Sequence, residues 1–459
     1  MLLPIPISLY YEDGSHFALL ISALITMGAG FASYKFTSFK QDVRAKEGFA
    51  IVTFGWIAAS FFGSLPFMLS GAIPSFTDAF YETMSGFTTT GATIMTDIEA
   101  TPEAILLWRS TSHWLGGMGI ILLSLAILPF LGVGGMQLFK AEVPGHVADK
   151  LTPRVAQTAK VLWGVYLLFT VAEMLLLMYG GMNWFDALNH SFATLSTGGY
   201  STRNASVGAY ESSFIHYIIT LFMFLAGANF ALHYRFLVGD FKAYFQNTEF
   251  KIYCAIVLGA SVLIGIDVYG RYGDLGQSMR DTLFQVTAIT TSTGFGTADF
   301  EQWSVGSQCI LLALMFIGGS AGSTAGGMKI ARIYLLFRFM AAETVRLIHT
   351  NAIVPVRMGG TTVPREVLTT LIGYFVLYMM TYGIGVLLFA FLGLDLITAL
   401  SATVAALSNI GPGLGSVGPT ENYAHFPMLG KWLLSLLMLM GRLELFTVVV
   451  LFSPAYWRK

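Results

Sequence analysis

Four short segments of this sequence combine hydroxyl residues with glycine in a way that suits cation binding by the peptide backbone. They read ETMSGFTTTGAT from residue 82, HSFATLSTGGYS from 190, QVTAITTSTGFGT from 285 and TVAALSNIGPGLGS from 403. We align them on Gly91, Gly198, Gly294 and Gly411. Glycine permits backbone angles that are closed to residues with a Cβ, and rings of backbone carbonyls can replace the hydration shell of a cation. The pattern predicts a cation site formed by four backbone segments.

The predicted site consists of the three residues that end at the aligned glycine in each segment. These residues are Thr89, Thr90, Gly91, Ser196, Thr197, Gly198, Ser292, Thr293, Gly294, Asn409, Ile410 and Gly411. The third segment also echoes the Thr-Val-Gly-Tyr-Gly pattern of potassium channels. Any one of these glycines alone fits a helix cap or a loop equally well, but four at corresponding positions favour the carbonyl site.

A second group of unusual residues interrupts the apolar stretches near the C-terminal end. Residues 318–329 read GGSAGSTAGGMK, and because glycine costs about 1 kcal/mol in a helix relative to alanine, a continuous helix is not expected there. We interpret this stretch, together with a charge in the last span, as a gate below the site. The gate residues are Gly318, Gly319, Gly322, Gly326, Gly327, Lys329 and Arg442.

Structural explanations for the gate residues stay open. The glycines also fit close helix packing, and Lys329 also fits a cytoplasmic side chain that extends its ammonium group towards water. Arg442 lies about midway along the last span, where a charge is costly and a functional role is the default hypothesis. An ion pair with Glu444 or Glu173 is its structural alternative.

The elements that position these residues are membrane helices. Hydrophobic residues make up 55% of the 459 positions and charged residues only 11%, whereas soluble proteins carry about 25% charged residues. A spanning helix needs about 20 mostly apolar residues. Such stretches lie near 16–36, 47–70, 104–131, 158–181, 214–238, 251–270, 305–340, 367–393 and 428–452.

The distribution of charge orients these spans. Most of the 25 lysines and arginines fall at or near alternate loops, which the positive-inside rule places in the cytoplasm. The short helical stretch before each glycine is too short to cross a bilayer. Such a stretch must therefore be re-entrant, because a crossing would move every later basic loop to the other side. Each unit is then a span, a re-entrant half-helix, a glycine turn and a second span.

This reading predicts an all-α polytopic membrane protein with four hairpins in a pseudo-fourfold ring and one extra N-terminal transmembrane helix. The predicted divisions are 1–46 for the extra helix region and 47–140, 150–242, 250–346 and 365–459 for the four hairpins. The histidines lack paired metal-ligand spacing and no nucleophile motif is present. We therefore expect a protein without catalytic activity, and we expect no covalently bound cofactor and no nucleic-acid partner.

With four hairpins in one chain, each carrying its glycine segment, the sequence resembles the Trk/Ktr/HKT superfamily of potassium transporters, in particular its TrkH/TrkG-type membrane subunits. The similarity covers nearly the whole chain from about residue 16, and the family's filter glycines correspond to Gly91, Gly198, Gly294 and Gly411. Plant members with serine at the first of these positions prefer sodium, so Gly91 implies potassium. The glycine-rich stretch 318–329 and Arg442 match the family's intramembrane loop and its basic residue in the last helix. TrkH-type proteins usually have two helices before the first hairpin, whereas this chain has one full span and a short remnant.

The resemblance implies potassium uptake across the bacterial cytoplasmic (inner) membrane, with potassium as the substrate. It also implies a homodimer and a cytosolic RCK-type regulatory subunit (TrkA-like), through which alone a nucleotide would act. The residues leave one alternative function open, a secondary transporter of a small solute coupled to sodium or protons, because such proteins also have broken helices at midplane. The common orientation of all four hairpins argues against inverted repeats of that class.

Overall fold

The computed structural model describes residues 1–37, 45–126 and 151–458, and the chain there is almost entirely helical. The N-terminal region contains α1 (Ile5–Tyr11) and α2 (His16–Phe36). The first hairpin contains α3 (Ala45–Gly63), α4 (Leu65–Leu69), α5 (Phe76–Phe87) and α6 (Glu103–Ala126). The second contains α7 (Leu151–Tyr179), α8 (Trp184–Leu195), α9 (Ser213–Ala226) and α10 (Phe230–Leu237). The predicted boundaries at residues 140 and 150 lie outside the described residues, and the division into domains stays a prediction.

The C-terminal half repeats the same order of elements. After α11 (Ala243–Gln246), the third hairpin contains α12 (Thr248–Tyr272), α13 (Leu275–Thr290), α14 (Val305–Leu314) and α15 (Ile330–Ile348). The fourth contains α16 (Arg365–Phe391), α17 (Leu396–Leu407), α18 (Met428–Arg442) and α19 (Leu445–Val449), and α20 (Pro454–Trp457) follows it. Single 3₁₀ turns lie at Ser206–Ala209, Phe300–Gln302 and Val450–Phe452. The strands β1 (Arg357–Met358) and β2 (Thr361–Thr362) form a small antiparallel hairpin between α15 and α16.

The helices suit a membrane by length and composition. Within the described residues five are long and apolar enough to cross one, and two bent pairs bring the total to as many as seven. Their outward faces expose large apolar side chains, for example Leu168, Leu263 and Leu387. Lipid solvates such faces, and the chain is therefore an all-α, multi-pass membrane protein.

Three of the predicted spans are broken. Residues 214–238 form α9 and α10, which are bent by 103°, and residues 428–452 form α18 and the Leu445–Phe452 helix, which are bent by 117°. The stretch 305–340 divides into α14, an irregular loop at 315–329 and α15, as its glycines predict. The sequence analysis located the first two as apolar stretches but did not predict their bends, because apolar composition does not report where the backbone turns.

Four short helices, α5, α8, α13 and α17, lie buried between the long ones. Each begins with a side chain that caps its first turn, from Ser75, Asn183, Asp274 and Asp395. Such a cap satisfies a backbone N–H that has no partner inside the helix. In the first, second and fourth hairpins the second half packs on the short helix of another: α6 on α8, α9 on α13, and α18 on α5. The contact of the fourth hairpin with the first closes the ring.

Candidate ion pathway

Each short helix delivers its carboxyl end to one glycine segment. The segments are one (89–91), two (197–199), three (292–294) and four (409–411). In each, the middle residue donates its N–H to the carbonyl five residues earlier: Thr90 to Ser85 at 2.9 Å, and Gly198 to Ala193, Thr293 to Ala288 and Ile410 to Ala405 at 2.8 Å. Four segments of different sequence therefore share one backbone conformation.

The backbone angles define the correspondence between the segments. The first residue has a left-handed φ of 49° at Thr89, 54° at Thr197, 54° at Ser292 and 55° at Asn409. The third is a glycine with φ of 79° at Gly91, 77° at Gly199, 77° at Gly294 and 93° at Gly411. Segment two is thus shifted by one residue from the sequence alignment. Gly199 corresponds to Gly91, and Ser196 is the cap residue at the carboxyl end of α8.

Contacts between segments close a cycle. A Cβ built on Gly91 would lie 2.1 Å from the carbonyl oxygen of Gly198, and one on Gly199 would lie 1.9 Å from that of Thr293. A Cβ on Gly294 would lie 1.9 Å from the Ile410 oxygen, and one on Gly411 would lie 2.6 Å from the Thr90 oxygen. In every case the middle carbonyl of one segment touches the glycine of another. The four segments form a ring in which a side chain at the third position would displace a carbonyl.

Hydrogen bonds behind the ring hold the segments in place. Thr88 and Thr90 pair through their hydroxyls at 2.9 Å, and Thr291 and Thr293 do so at 2.8 Å. The amide of Asn409 donates to Thr90 Oγ1 at 3.0 Å and to the Met438 carbonyl at 2.9 Å. Asn409 therefore connects segments four and one directly.

A buried ion pair supports the first two segments, and our sequence analysis did not predict it. Glu82 is fully buried and accepts a hydrogen bond from Arg109 Nε at 2.7 Å. Glu82 also accepts from the Ile94 N–H at 3.0 Å, and Arg109 donates to the Ser201 carbonyl at 3.0 Å. Two opposite charges in otherwise apolar helices were the available signal, since burial of a charge requires a partner.

The glycine-rich loop at 315–329 lies directly below the ring. Its Gly326 N–H donates to Ser292 Oγ at 2.6 Å, and its Thr324 hydroxyl donates to the Leu195 carbonyl at 3.0 Å. A Cβ on Gly326 would lie 2.2 Å from the Ser408 carbonyl oxygen, and one on Gly319 would lie 2.5 Å from that of Gly227. The loop therefore touches the carboxyl ends of α8 and α17 and the first residue of segment three, and its glycines make this close approach possible.

The remaining glycines of the predicted gate shape the loop itself. Gly322 and Gly327 have φ values of 75° and 63°, which residues with a Cβ rarely adopt. A Cβ on Gly318 would lie 1.9 Å from the Gly326 carbonyl oxygen. Lys329 is half-buried and donates to the Ala325 carbonyl within the same loop, so its ammonium group does not extend away to water.

Arg442, at the end of α18, is 2% exposed and reaches this loop. Its guanidinium donates to the Thr324 carbonyl at 2.6 Å and to the Gly116 carbonyl on α6 at 3.3 Å. Neither alternative carboxylate is its partner: Glu444 pairs with Arg332 at 2.6 Å, and both carboxyl oxygens of Glu173 lack a hydrogen bond within the described residues. The positive charge of Arg442 on α18 therefore lies between the glycine-rich loop and α6.

The chain is similar along its whole length to known transport proteins. Residues 15–459 match the family described as "TrkH: Cation transport protein". The Trk system potassium uptake protein TrkH of Halomonas elongata is 42% identical over 100% of this chain and 96% of the relative, and TrkH of Escherichia coli K12 is 39% identical with the same coverage.

A solved structure agrees with the fold. The crystal structure of the potassium transporter TrkH from Vibrio parahaemolyticus superposes with a TM-score of 0.92 at 36% identity, covering 100% of this chain and 96% of the other. The family match, the identities and the superposition all extend over the four hairpins and their glycine segments. This chain belongs to the TrkH family of cation transport proteins.

Proposed function

We propose that this protein takes up potassium across the bacterial cytoplasmic membrane through the ring of four glycine segments. The observation that carries the proposal is the closed cycle of contacts between middle carbonyls and glycines around segments one to four. None of the twelve residues in those segments carries an ionisable side chain, so backbone carbonyls and hydroxyls are the available ligands. The relatives named above as potassium uptake proteins support potassium as the ion.

The electrostatics of the short helices support the same function. Each helix directs its carboxyl end, which carries about −0.5 elementary charge, towards its segment. Four such ends around one ring attract a cation in a region of low dielectric constant. The carbonyls then replace water around the dehydrated ion, as in other selectivity filters.

The loop at 315–329 and Arg442 form the gate in this proposal. The loop touches segment three through Gly326 and lies against the Ser408 carbonyl, so it covers the cytoplasmic side of the ring. Arg442 places a positive charge at the same level and repels a cation there. Movement of the loop, with the release of the bond between Arg442 and Thr324, opens the pathway.

Partners belong to the proposal as well. The relatives are named as members of a Trk system, which supports regulation by a further component. We propose a homodimer that binds a cytosolic RCK-type, nucleotide-sensing subunit at its basic cytoplasmic face.

Uptake of potassium into proteoliposomes, with sodium as the competitor, tests the function. We expect potassium-selective flux from the intact protein and loss of selectivity in Gly91→Ser, because a Cβ there meets the Gly198 carbonyl oxygen at 2.1 Å. Gly259→Ser is the matched control, since Gly259 is exposed on α12 and a Cβ there meets no atom within 4 Å. Absence of cation flux from inserted protein, even with the regulatory subunit added, would favour the solute transporter instead.

A further inference from the structure

His113 on α6 is completely buried directly behind segment two. Its ring centroid lies 3.9 Å from that of Tyr200, the residue that directly follows segment two. Neither ring nitrogen has a hydrogen-bond partner within the described residues. Nothing in the gate or in the cycle of carbonyls uses this side chain.

The ring of His113 occupies the place of a missing side chain. A Cβ built on Gly198 would lie 1.4 Å from His113 Nδ1 and 2.3 Å from Cε1. Gly198 is not among the residues with positive φ, so its backbone conformation does not require glycine. The imidazole ring of His113 is therefore what makes glycine necessary at residue 198.

Segments one and three fill the same place from their own sequence. Thr90 and Thr293 hold the middle position in segments one and three, and each is bonded to the threonine two residues before it. Segment two has Ser196 and Gly198 at the corresponding positions, and the Ser196 hydroxyl bonds back to the Phe192 carbonyl at 2.7 Å. Its middle residue has no side chain, and the support comes from the first hairpin.

The surroundings hold the histidine firmly. Tyr200 donates its hydroxyl to the Glu82 carbonyl at 2.8 Å, and the Arg109 guanidinium lies 3.4 Å from the centre of the Tyr200 ring. Arg109 and His113 are one turn apart on α6, so one helix face contacts segment two at Gly198 and the residues beyond it.

We propose that His113 is a positioning residue that determines ion specificity at segment two, by substituting for the side chain that Gly198 lacks. This inference rests on the proposed potassium filter. The imidazole ring restricts movement of the backbone around the Gly198 carbonyl. That carbonyl in turn touches Gly91. Without the ring, the segment gains freedom to close on a smaller ion, and discrimination against sodium decreases.

A swap of the two side chains tests the inference. Potassium and sodium flux are measured in proteoliposomes for the intact protein, His113→Ala, Gly198→Thr, His113→Gln and the double variant His113→Ala/Gly198→Thr. We expect His113→Ala to lower the potassium preference about fivefold, equivalent to about 1 kcal/mol. Gly198→Thr alone should abolish flux because the threonine and the ring overlap. In the double variant the threonine has room and can pair with Ser196, so the preference should recover, and His113→Gln should keep it by retaining volume.

Potassium-dependent stabilisation in detergent gives a second measurement that does not need flux. The rise in melting temperature on exchanging sodium for potassium should decrease in His113→Ala and return in the double variant. An unchanged preference in His113→Ala, or a double variant no better than His113→Ala, overturns the role of His113 while the intact protein still selects potassium. An intact protein without potassium preference overturns the proposed filter itself and the inference with it.

Discussion

At Gly199 the backbone φ is 77°, and a Cβ there would lie 1.9 Å from the Thr293 carbonyl oxygen. Its neighbour Gly198 is glycine for another reason, because the His113 ring fills the space beside it. Two adjacent glycines thus meet two separate demands, one from backbone geometry and one from packing. Substitution at either position should harm the protein, but only the change at Gly198 should respond to a second change at His113.

Gly199→Ala is expected to abolish potassium-selective uptake as completely as Gly91→Ala. Both residues have left-handed backbone angles, and both touch a carbonyl of another segment. Measurement of potassium uptake in proteoliposomes tests this, with Gly259→Ala as the control. Retention of normal selectivity by Gly199→Ala would contradict the correspondence between Gly199 and Gly91.

Arg442→Ala is expected to raise potassium flux severalfold in the absence of a regulatory partner. The substitution removes both the charge below the ring and the hydrogen bond to the Thr324 carbonyl. Flux is compared with that of Arg338→Ala, which removes an exposed cation from α15. Equal or lower flux from Arg442→Ala would show that the arginine does not close the pathway.

The sequence alignment and the backbone angles differ in the register of segment two. A threonine-glycine pair marks Gly91, Gly198 and Gly294 alike, so the alignment placed Gly198 with the others. The choice between Gly198 and Gly199 depends on the neighbouring carbonyl and on His113, which is far away along the chain. The burial of Glu82 was missed for the same reason, because its partner Arg109 lies on another helix.

Among the elements, the bends in the membrane helices have identifiable partners. At the bend between α9 and α10, Asn229 caps the new helix through the Ala231 N–H at 2.8 Å, and Ser320 donates to the Gly227 carbonyl at 2.8 Å. Irregular backbone within a membrane must be satisfied by protein or by a water-filled path. Hydropathy locates the apolar stretch but carries no information about these donors, so both bends were absent from the sequence prediction.

A second, largely buried ion pair lies at the bend between α18 and α19. Glu444, whose φ is 65°, accepts from Arg332 at 2.6 Å, and Arg332 also lies 4.2 Å from the centre of the Tyr374 ring. This pair joins the start of α15, directly after the glycine-rich loop, to the bend between α18 and α19. The loop and Arg442 are therefore attached to a common support.

Glu444→Gln is expected to destabilise the protein by about 3 kcal/mol, because removal of one partner leaves a buried charge uncompensated. The double variant Arg332→Met/Glu444→Gln should be less damaged than the single one, since no unpaired charge remains. Thermal unfolding in detergent measures both, with Glu343→Gln as the control, because Glu343 is half-buried and its ion pair with Arg346 lies at the surface of α15. A single variant as stable as the intact protein would exclude a structural role for this pair.

For the whole molecule, the contact of the fourth hairpin with the first decides whether the ring is closed. Lys431 on α18 pairs with Asp78 on α5 at 2.6 Å, and the Tyr423 N–H donates to the Thr93 carbonyl at 2.8 Å. Near the centre, Asn409 binds Thr90 as described above. These contacts join residues more than three hundred positions apart, which agrees with the ring predicted from the four repeats.

Reversal of the two charges in the pair formed by Asp78 and Lys431 tests whether this contact helps to close the ring. Asp78→Lys and Lys431→Asp should each lower the melting temperature in detergent, because each places two like charges together. The combined reversal should recover most of the loss, corresponding to about 1 kcal/mol for a partly exposed pair. Lack of recovery would indicate that the two hairpins are held together at this point by apolar packing alone.

The covalent connection of all four segments has a consequence for how the pathway can be altered. In an assembly of four identical chains every substitution appears four times around the axis, whereas here it appears once. One quarter of the ring can therefore be tuned while the other three quarters keep their geometry, as the unlike middle residues Gly198 and Ile410 already illustrate. We therefore expect a change behind one segment, such as His113→Ala, to shift the ion preference in part, whereas a side chain added at a third-position glycine displaces a carbonyl of the ring itself.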